Sequence, residues 1–178
     1  MFRDFFDRAH WFALGGLVIA LFYLLFFSPV DGSTVRKQDK RLELVLQEKA
    51  RIAFLLETYA PVEELAAAGN RAAALLKLEE LERDFPGEAH ASILRGSLLL
   101  EQGAIAEGIA AYVLGVRQNG DYIDARSLLG RHREITALVE AELPLIKVRV
   151  EKSPNSRTWN EALNNIYYLQ SRLAGGCE

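Results

Sequence analysis

An all-helical fold is predicted for this chain by three observations. Ala, Leu and Glu dominate residues 42–143, a composition typical of packed helices. Glycine and proline recur at a spacing of 34 residues, which is typical of stacked pairs of helices. Residues 11–30 carry no charged side chain, which predicts a further helix that crosses a membrane. The recurrent pairs are Gly69 with Gly103, Gly96 with Gly130, and Pro86 with Gly120.

The size and charge of the chain limit what it can be. Its 178 residues leave room for one domain and an anchor. The formal net charge is -3 and no basic stripe with interleaved aromatic residues occurs, so nucleic-acid binding is not expected. Cys177 is the only cysteine, which excludes a disulfide within one chain.

Residues 11–30 are predicted to form a single transmembrane helix in contact with lipid, after a short tail at residues 1–10. About 20 residues at 1.5 Å per residue span roughly 30 Å, the thickness of the hydrocarbon core. A cleaved signal peptide is the alternative, since residues 30–32 form a weak cleavage site. The length of the apolar run and its large aromatic residues favour a retained anchor.

The orientation of this span is inferred from the basic residues on its two sides. Two arginines precede the span, and a larger basic group follows it: Arg36, Lys37, Lys40, Arg41 and Lys49. The positive-inside rule therefore favours a cytoplasmic soluble domain. An exported domain behind a short cytoplasmic N-terminus is the alternative.

Residues 31–60 are predicted to be a linker and a juxtamembrane helix. A short exit capped by Ser33 or Thr34 precedes a helix at about residues 36–59. This helix carries one apolar stripe, which either forms a coiled coil between two chains or packs on the first repeat. Lys49 interrupts the stripe and favours packing. The stripe comprises Leu42, Val45, Ile52, Leu56 and Tyr59.

Pro61 lacks an N–H, so it is predicted to kink the juxtamembrane helix or to start a new helix at residues 61–68.

In the predicted span, Gly16 and Ala20 form a pair of small residues that would let two spans approach closely, which leaves a homodimer open.

Residues 61–156 are predicted to contain the repeats, and the clearest unit is residues 89–122. Small residues lie where two helices would cross, a glycine lies at the turn, and an aromatic residue lies on the second helix. In order along the chain these residues are Gly96, Gly103, Gly108, Tyr112 and Gly115. This pattern resembles the tetratricopeptide repeat, a 34-residue helix pair.

The flanking units match the same pattern less fully. The preceding half-unit has Gly69 at its turn, Ala74 and Leu78 on its second helix, and Pro86 at its exit. The following unit places Gly130 at the small position of a first helix. It then departs from the pattern at Ala137, Glu142 and Pro144, and the proline is predicted to interrupt the second helix.

Residues 157–178 are predicted to be a capping helix and a tail. Ser156 is a suitable N-cap, and the inner face of the helix is traced by Trp159, Leu163, Ile166 and either Leu169 or Gln170. A polar outer face suits a terminal helix of a stack, because stacked repeats need polar caps.

No pattern typical of an enzyme occurs in the sequence. His10, His90 and His132 are scattered, without metal-ligand spacing, and no phosphate-binding loop or nucleophile elbow is present. We therefore expect no catalytic residues, no cofactor and no metal.

The expected function is binding of a protein partner. The resemblance implies a concave groove lined by the first helix of each unit, with His90, Ile93, Ser97, Asp124, Ser127 and Arg131 as candidate contacts. The polar loop at residues 117–122, with Tyr122 expected to be exposed, is a second candidate surface. The sequence predicts a membrane-anchored scaffold or assembly factor, and the alternative is a structural accessory subunit of a membrane complex.

Overall fold

The computed structural model describes residues 16–23 and 32–175, and throughout these residues every regular element is helical. The predicted all-α class is therefore confirmed. Residues 16–23 are helical and exposed. The elements that follow are α1 Gly32–Ala67, α2 Arg71–Asp84, α3 Ala89–Glu101, α4 Ile105–Gln118, a 3-10 helix Gly120–Tyr122, α5 His132–Lys152 and α6 Arg157–Leu173.

The chain divides into two compact units, Met1–Lys49 and Ala50–Glu178. Most of the predicted span at residues 11–30 lies outside the described residues. Within the described ranges, no helix combines the length and the apolar character that crossing a bilayer requires.

Helix α1 is longer at both ends than the sequence indicated. It begins at Gly32, so Ser33 and Thr34 lie inside the first turn rather than ahead of it. It also runs through Pro61, so the predicted restart at this residue is wrong. Burial of Tyr59 and Val62, on either side of the proline, favours one continuous helix because both side chains reach the same core.

The predicted apolar stripe of α1 is correct only in its last part. Ile52 and Tyr59 are buried, but Leu42, Val45 and Leu56 are exposed. Leu55 is buried where Leu56 had been expected, because the face that meets the core repeats at residues 52, 55, 59 and 62.

Helix α2 has the start and the buried face that the sequence predicts. Gly69 turns the chain with a φ of 77°. The side chain of Asn70 accepts a hydrogen bond from the Ala73 amide at 3.3 Å and caps the helix. Ala74 and Leu78 are fully buried, and Pro86 follows the end of the helix after Phe85.

Helices α3 and α4 form the tightest pair in the fold. An added Cβ on Gly96 would lie 2.7 Å from the Tyr112 ring, and one on Gly115 would lie 2.7 Å from Ile93. A Cβ on Gly108 would lie 3.1 Å from the Gly96 carbonyl oxygen. The three glycines thus let two backbones approach at van der Waals distance, as expected for the clearest repeat unit.

A left-handed glycine makes the turn between α3 and α4. Gly103 has a φ of 81°. The Gly103 amide donates to the Leu100 carbonyl at 2.9 Å, and the Ala104 amide donates to the Leu99 carbonyl at 2.9 Å. These two bonds satisfy carbonyls that the end of α3 would otherwise leave unpaired.

Residues 123–152, all of which the structure describes, do not form the predicted third helical hairpin. Residues 123–131 form successive turns, with the Arg131 amide donating to the Tyr122 carbonyl at 2.8 Å. Gly130 lies in these turns and not in a helix, and a Cβ there would collide with the Asp124 carbonyl oxygen. Gly130 is therefore needed for a close backbone contact, which the sequence spacing alone assigned to a helix crossing.

Helix α5 replaces both helices of that expected hairpin. It runs without interruption through Ala137 and Pro144, so the break predicted at Pro144 is wrong. Ile135, Val139 and Ile146 are buried along one side. Because this buried face extends on both sides of the proline, packing holds the helix together where a backbone hydrogen bond is lost.

Helix α6 packs against α4 and α5, as a terminal helix should. The Ser156 side chain accepts a hydrogen bond from the Trp159 amide at 3.4 Å, which confirms the predicted cap. Ala162, Ile166 and Leu169 are buried, while Gln170 is exposed. Leu169 thus takes the inner position that the sequence left open.

Candidate binding cleft

A cleft of about 250 Å³ lies between α1 and α3. Its floor is apolar. Its edge is polar and includes one arginine from the loop after the 3-10 helix. The floor comprises Val62, Ala66, Leu94 and Leu98, and the edge comprises Glu63, Ser97 and Arg131. We call this surface the α1/α3 cleft.

Arg131 is held at the cleft by carboxylates from two helices. Its Nη2 donates to Glu63 Oε1 on α1 at 2.6 Å, and its Nη1 lies 3.7 Å from Glu134 Oε2 on α5. The Arg131 and Glu63 side chains are 34% and 42% exposed, so this pair contributes no more than about 1 kcal/mol to stability. Its main effect is to position the guanidinium across the cleft.

The same network reaches into the core through Tyr112. The Tyr112 hydroxyl donates a hydrogen bond to Glu134 Oε1. Burial raises the pKa of Tyr112, and the negative charge of Glu134 raises it further. Tyr112 therefore stays a neutral donor, and it connects α4 to the carboxylate that faces Arg131.

A second polar cluster is buried beneath α1. The His90 Nδ1 and the Tyr122 hydroxyl share a hydrogen bond of 2.9 Å, and the Tyr59 ring meets the His90 ring edge-on at 5.1 Å. Burial lowers the pKa of His90 to about 4, and the nearby Arg131 charge acts in the same direction. The pKa of Tyr59 is raised to about 12, chiefly by burial, and the negative charges of Glu88 and Glu82 raise it further. The cluster is therefore uncharged at neutral pH.

The structure brings only two of the six predicted groove residues to the cleft. Ser97 and Arg131 line it. His90 and Ile93 are each 1% exposed and face the core, which corrects their predicted placement on an accessible groove. The reason is the register of α3, whose side at residues 90 and 93 meets Tyr59, Tyr122 and Gly115.

Asp124 and Ser127 lie in turns and away from the cleft. The Asp124 carboxylate accepts from the Arg126 amide at 2.9 Å, and Ser127 Oγ accepts from the Leu129 amide at 3.2 Å. Both side chains thus stabilise their own loop, because the helix that would have aimed them at a groove does not form.

Tyr122 also differs from its predicted environment. It is fully buried rather than exposed, since the 3-10 helix turns its ring toward His90. The loop at residues 117–122 therefore presents no aromatic side chain at position 122 to a partner.

Sequence reasoning missed most of the lining of the cleft. Val62 had a detectable signal, because it continues the buried series of α1 one turn beyond Tyr59. Glu63 had none, since its partner Arg131 is 68 residues away in sequence.

Beside its apolar side chains, the α1/α3 cleft is lined by one carboxylate, one hydroxyl and one guanidinium. In the described part of the chain, no group of three His, Cys, Asp or Glu side chains is placed to hold a metal ion. No protein-family model, no curated protein and no solved structure matches the chain.

Proposed function

We propose that this protein is a membrane-anchored scaffold or assembly factor, which recruits a protein partner through the α1/α3 cleft. The observation that carries the proposal is the cleft itself. Val62, Leu94 and Leu98 form an apolar floor, and Glu63 and Arg131 provide polar groups at its edge. An apolar floor with a few polar groups at the edge suits an anchoring side chain of a peptide or a helix.

The packing of α3 on α4 supports a likeness to tetratricopeptide repeats. Gly96, Gly108 and Gly115 lie at the crossing, and Tyr112 fills the space between the helices. Stacked helix pairs of this kind present extended binding surfaces. We infer one well-formed unit, residues 89–122, between α1 and α2 on one side and α5 and α6 on the other.

The membrane anchor is part of the same proposal and rests on the uncharged residues 11–30. Such a segment would hold the cleft close to a bilayer and raise the local concentration of a membrane-associated partner. The basic residues that follow it favour a cytoplasmic domain.

Site-specific photo-crosslinking in cells that produce the protein tests whether a partner binds in the α1/α3 cleft. A photoreactive residue at position 97 should yield a discrete adduct, while the same residue at position 171, on the exposed side of α6, should not. Ala66→Arg, which fills the cleft, should reduce the adduct about tenfold or more. Ala67→Arg, on the exposed adjacent position, is the matched control and should leave it unchanged.

The outcomes separate the two functions that the sequence suggested. An adduct at position 97 that Ala66→Arg does not affect would argue against recruitment through the cleft. If all adducts are instead lost on replacing residues 11–30 by an unrelated span, the protein acts as an accessory subunit within a membrane complex.

A further inference from the structure

Helix α5 has a second apolar face that no described residue covers. One face is buried against the core through Ile135, Val139 and Ile146. On the opposite side, spacings of four, three and four residues align four exposed side chains in one stripe. They are Ala137, Ala141, Pro144 and Val148, and Val148 is 45% exposed. A helix that is apolar on both faces is expected to be buried on both.

Charged residues of alternating sign line one edge of this stripe. In chain order they are Arg133, Glu140, Lys147 and Glu151, and all four are exposed. None of them makes an ion pair with any residue that the structure describes. Lys147 only lies over the Tyr167 ring, at 5.6 Å. The signs along the helix are plus, minus, plus, minus. Two copies of this helix laid antiparallel therefore place opposite charges next to each other at all four positions.

We propose that two copies of this chain associate through α5, with the two helices antiparallel about a two-fold axis near residues 142–143. In this arrangement Ala137 of one copy faces Val148 of the other, and Ala141 faces Pro144. On the flank, Glu140 faces Lys147 and Arg133 faces Glu151, so by symmetry four oppositely charged pairs join the two copies. Small residues face larger ones along the seam, which allows close packing.

The symmetry of the pattern is what selects a second copy as the occupant. An isologous interface must be complementary to itself under a two-fold rotation. The charges on α5 meet this condition at four positions, and a foreign helix would have no reason to match it. The surface shares no residue with the α1/α3 cleft, so dimerisation goes beyond the proposed recruitment and is independent of it.

Disulfide trapping tests the register, using the full chain in mild detergent with Cys177→Ser as background. Ala137→Cys and Val148→Cys are prepared as separate proteins and then mixed. In the proposed dimer the two different positions meet. Two copies of the same position lie about 16 Å apart along the axis, beyond disulfide reach. Only the mixture should yield a covalent dimer. Cross-linking in either single variant alone, or none in the mixture, would overturn the proposal.

A charge swap tests the flank by sedimentation equilibrium of the same full chain. Glu140→Lys and Lys147→Glu each place like charges in opposition and should raise the dimer dissociation constant about tenfold. The double variant restores opposite charges and should recover the original constant. Glu107→Lys, at an exposed position of α4 without an ion pair, is the control and should change nothing. A monomer at every concentration, or a double variant no tighter than the single ones, would refute the dimer.

Discussion

Single glycine residues set the distance between helices α3 and α4. Inside a helix, replacing glycine by alanine ordinarily stabilises by about 0.5–1 kcal/mol. At Gly96 the new Cβ would lie 2.7 Å from the Tyr112 ring and 3.1 Å from the Gly108 carbonyl oxygen. We therefore expect Gly96→Ala to lower the free energy of unfolding by about 1–3 kcal/mol, as overpacked cores do.

Chemical denaturation of the purified full chain checks this sign. Ala110→Gly, on the exposed side of α4, is the matched comparison, because only helix propensity acts there and should cost about 1 kcal/mol. A Gly96→Ala variant more stable than the parent would mean that α3 and α4 can separate without penalty.

His90 makes stability depend on pH. Its pKa is lowered to about 4 in the fold, below the ordinary value of 6.5, chiefly by burial. Between these values the unfolded chain binds a proton that the folded chain does not, so stability falls as pH decreases from 6.5 to 4. The shift corresponds to as much as about 3 kcal/mol.

The His90 contribution is isolated by comparing unfolding free energies at pH 7 and pH 4 in the parent and in His90→Leu. The variant should be less stable at pH 7, since Tyr122 loses its partner, but should lose less stability on acidification. Equal pH dependence in the two proteins would show that His90 gains its proton without cost in the folded state.

At the scale of elements, the two prolines inside helices show that tertiary packing outweighs local preference. The α1 helix continues past Pro61 although proline removes a hydrogen bond and crowds the preceding turn. Pro61→Ala restores this bond at an exposed position, and we expect it to raise the free energy of unfolding by roughly 1–3 kcal/mol. Thermal unfolding measures the change. An unchanged or lower midpoint would indicate that the proline shapes α1 for packing.

Helix α6 completes the core of its unit. It buries Ala162, Ile166 and Leu169, so truncation after Asn155 would expose an apolar surface on α4 and α5. We expect the truncated chain to aggregate, and the milder Ser156→Ala to cost about 1 kcal/mol through loss of the helix cap. Solubility and size-exclusion profiles test the first, and denaturation tests the second. A truncated chain that stays folded and monodisperse would contradict the capping role.

For the molecule as a whole, the predicted location of the soluble domain can be tested directly. The basic residues after residues 11–30 predict that the C-terminus is cytoplasmic. A reporter fused there should be active in its cytoplasmic form and inactive in its exported form. Replacing Arg36, Lys37, Lys40 and Arg41 by glutamine should shift the ratio of the two signals toward export, because it removes most of the positive charge that follows the span and leaves Arg3 and Arg8 ahead of it. An exported reporter on the parent chain would overturn the predicted orientation.

Features that depend on nearby residues could be predicted from the sequence. Helical composition, the left-handed turns at Gly69 and Gly103, the glycine crossing of α3 on α4, and the cap at Ser156 all follow from local geometry. Each requires only that neighbouring side chains be small, or be placed within a few residues, and such requirements are visible in the spacing.

Features that depend on distant residues became visible in the folded structure and could not be predicted from the spacing. The turns at residues 123–131, the burial of His90 against Tyr122, and the ion pair that places Arg131 over the α1/α3 cleft join residues up to 68 positions apart. Repeat spacing predicted a third hairpin there, but one long α5 forms instead and buries Ile135, Val139 and Ile146 in the core. Burial against distant residues therefore determined the conformation of these segments. Its free energy exceeds the small local preferences for helix or turn that a sequence pattern records.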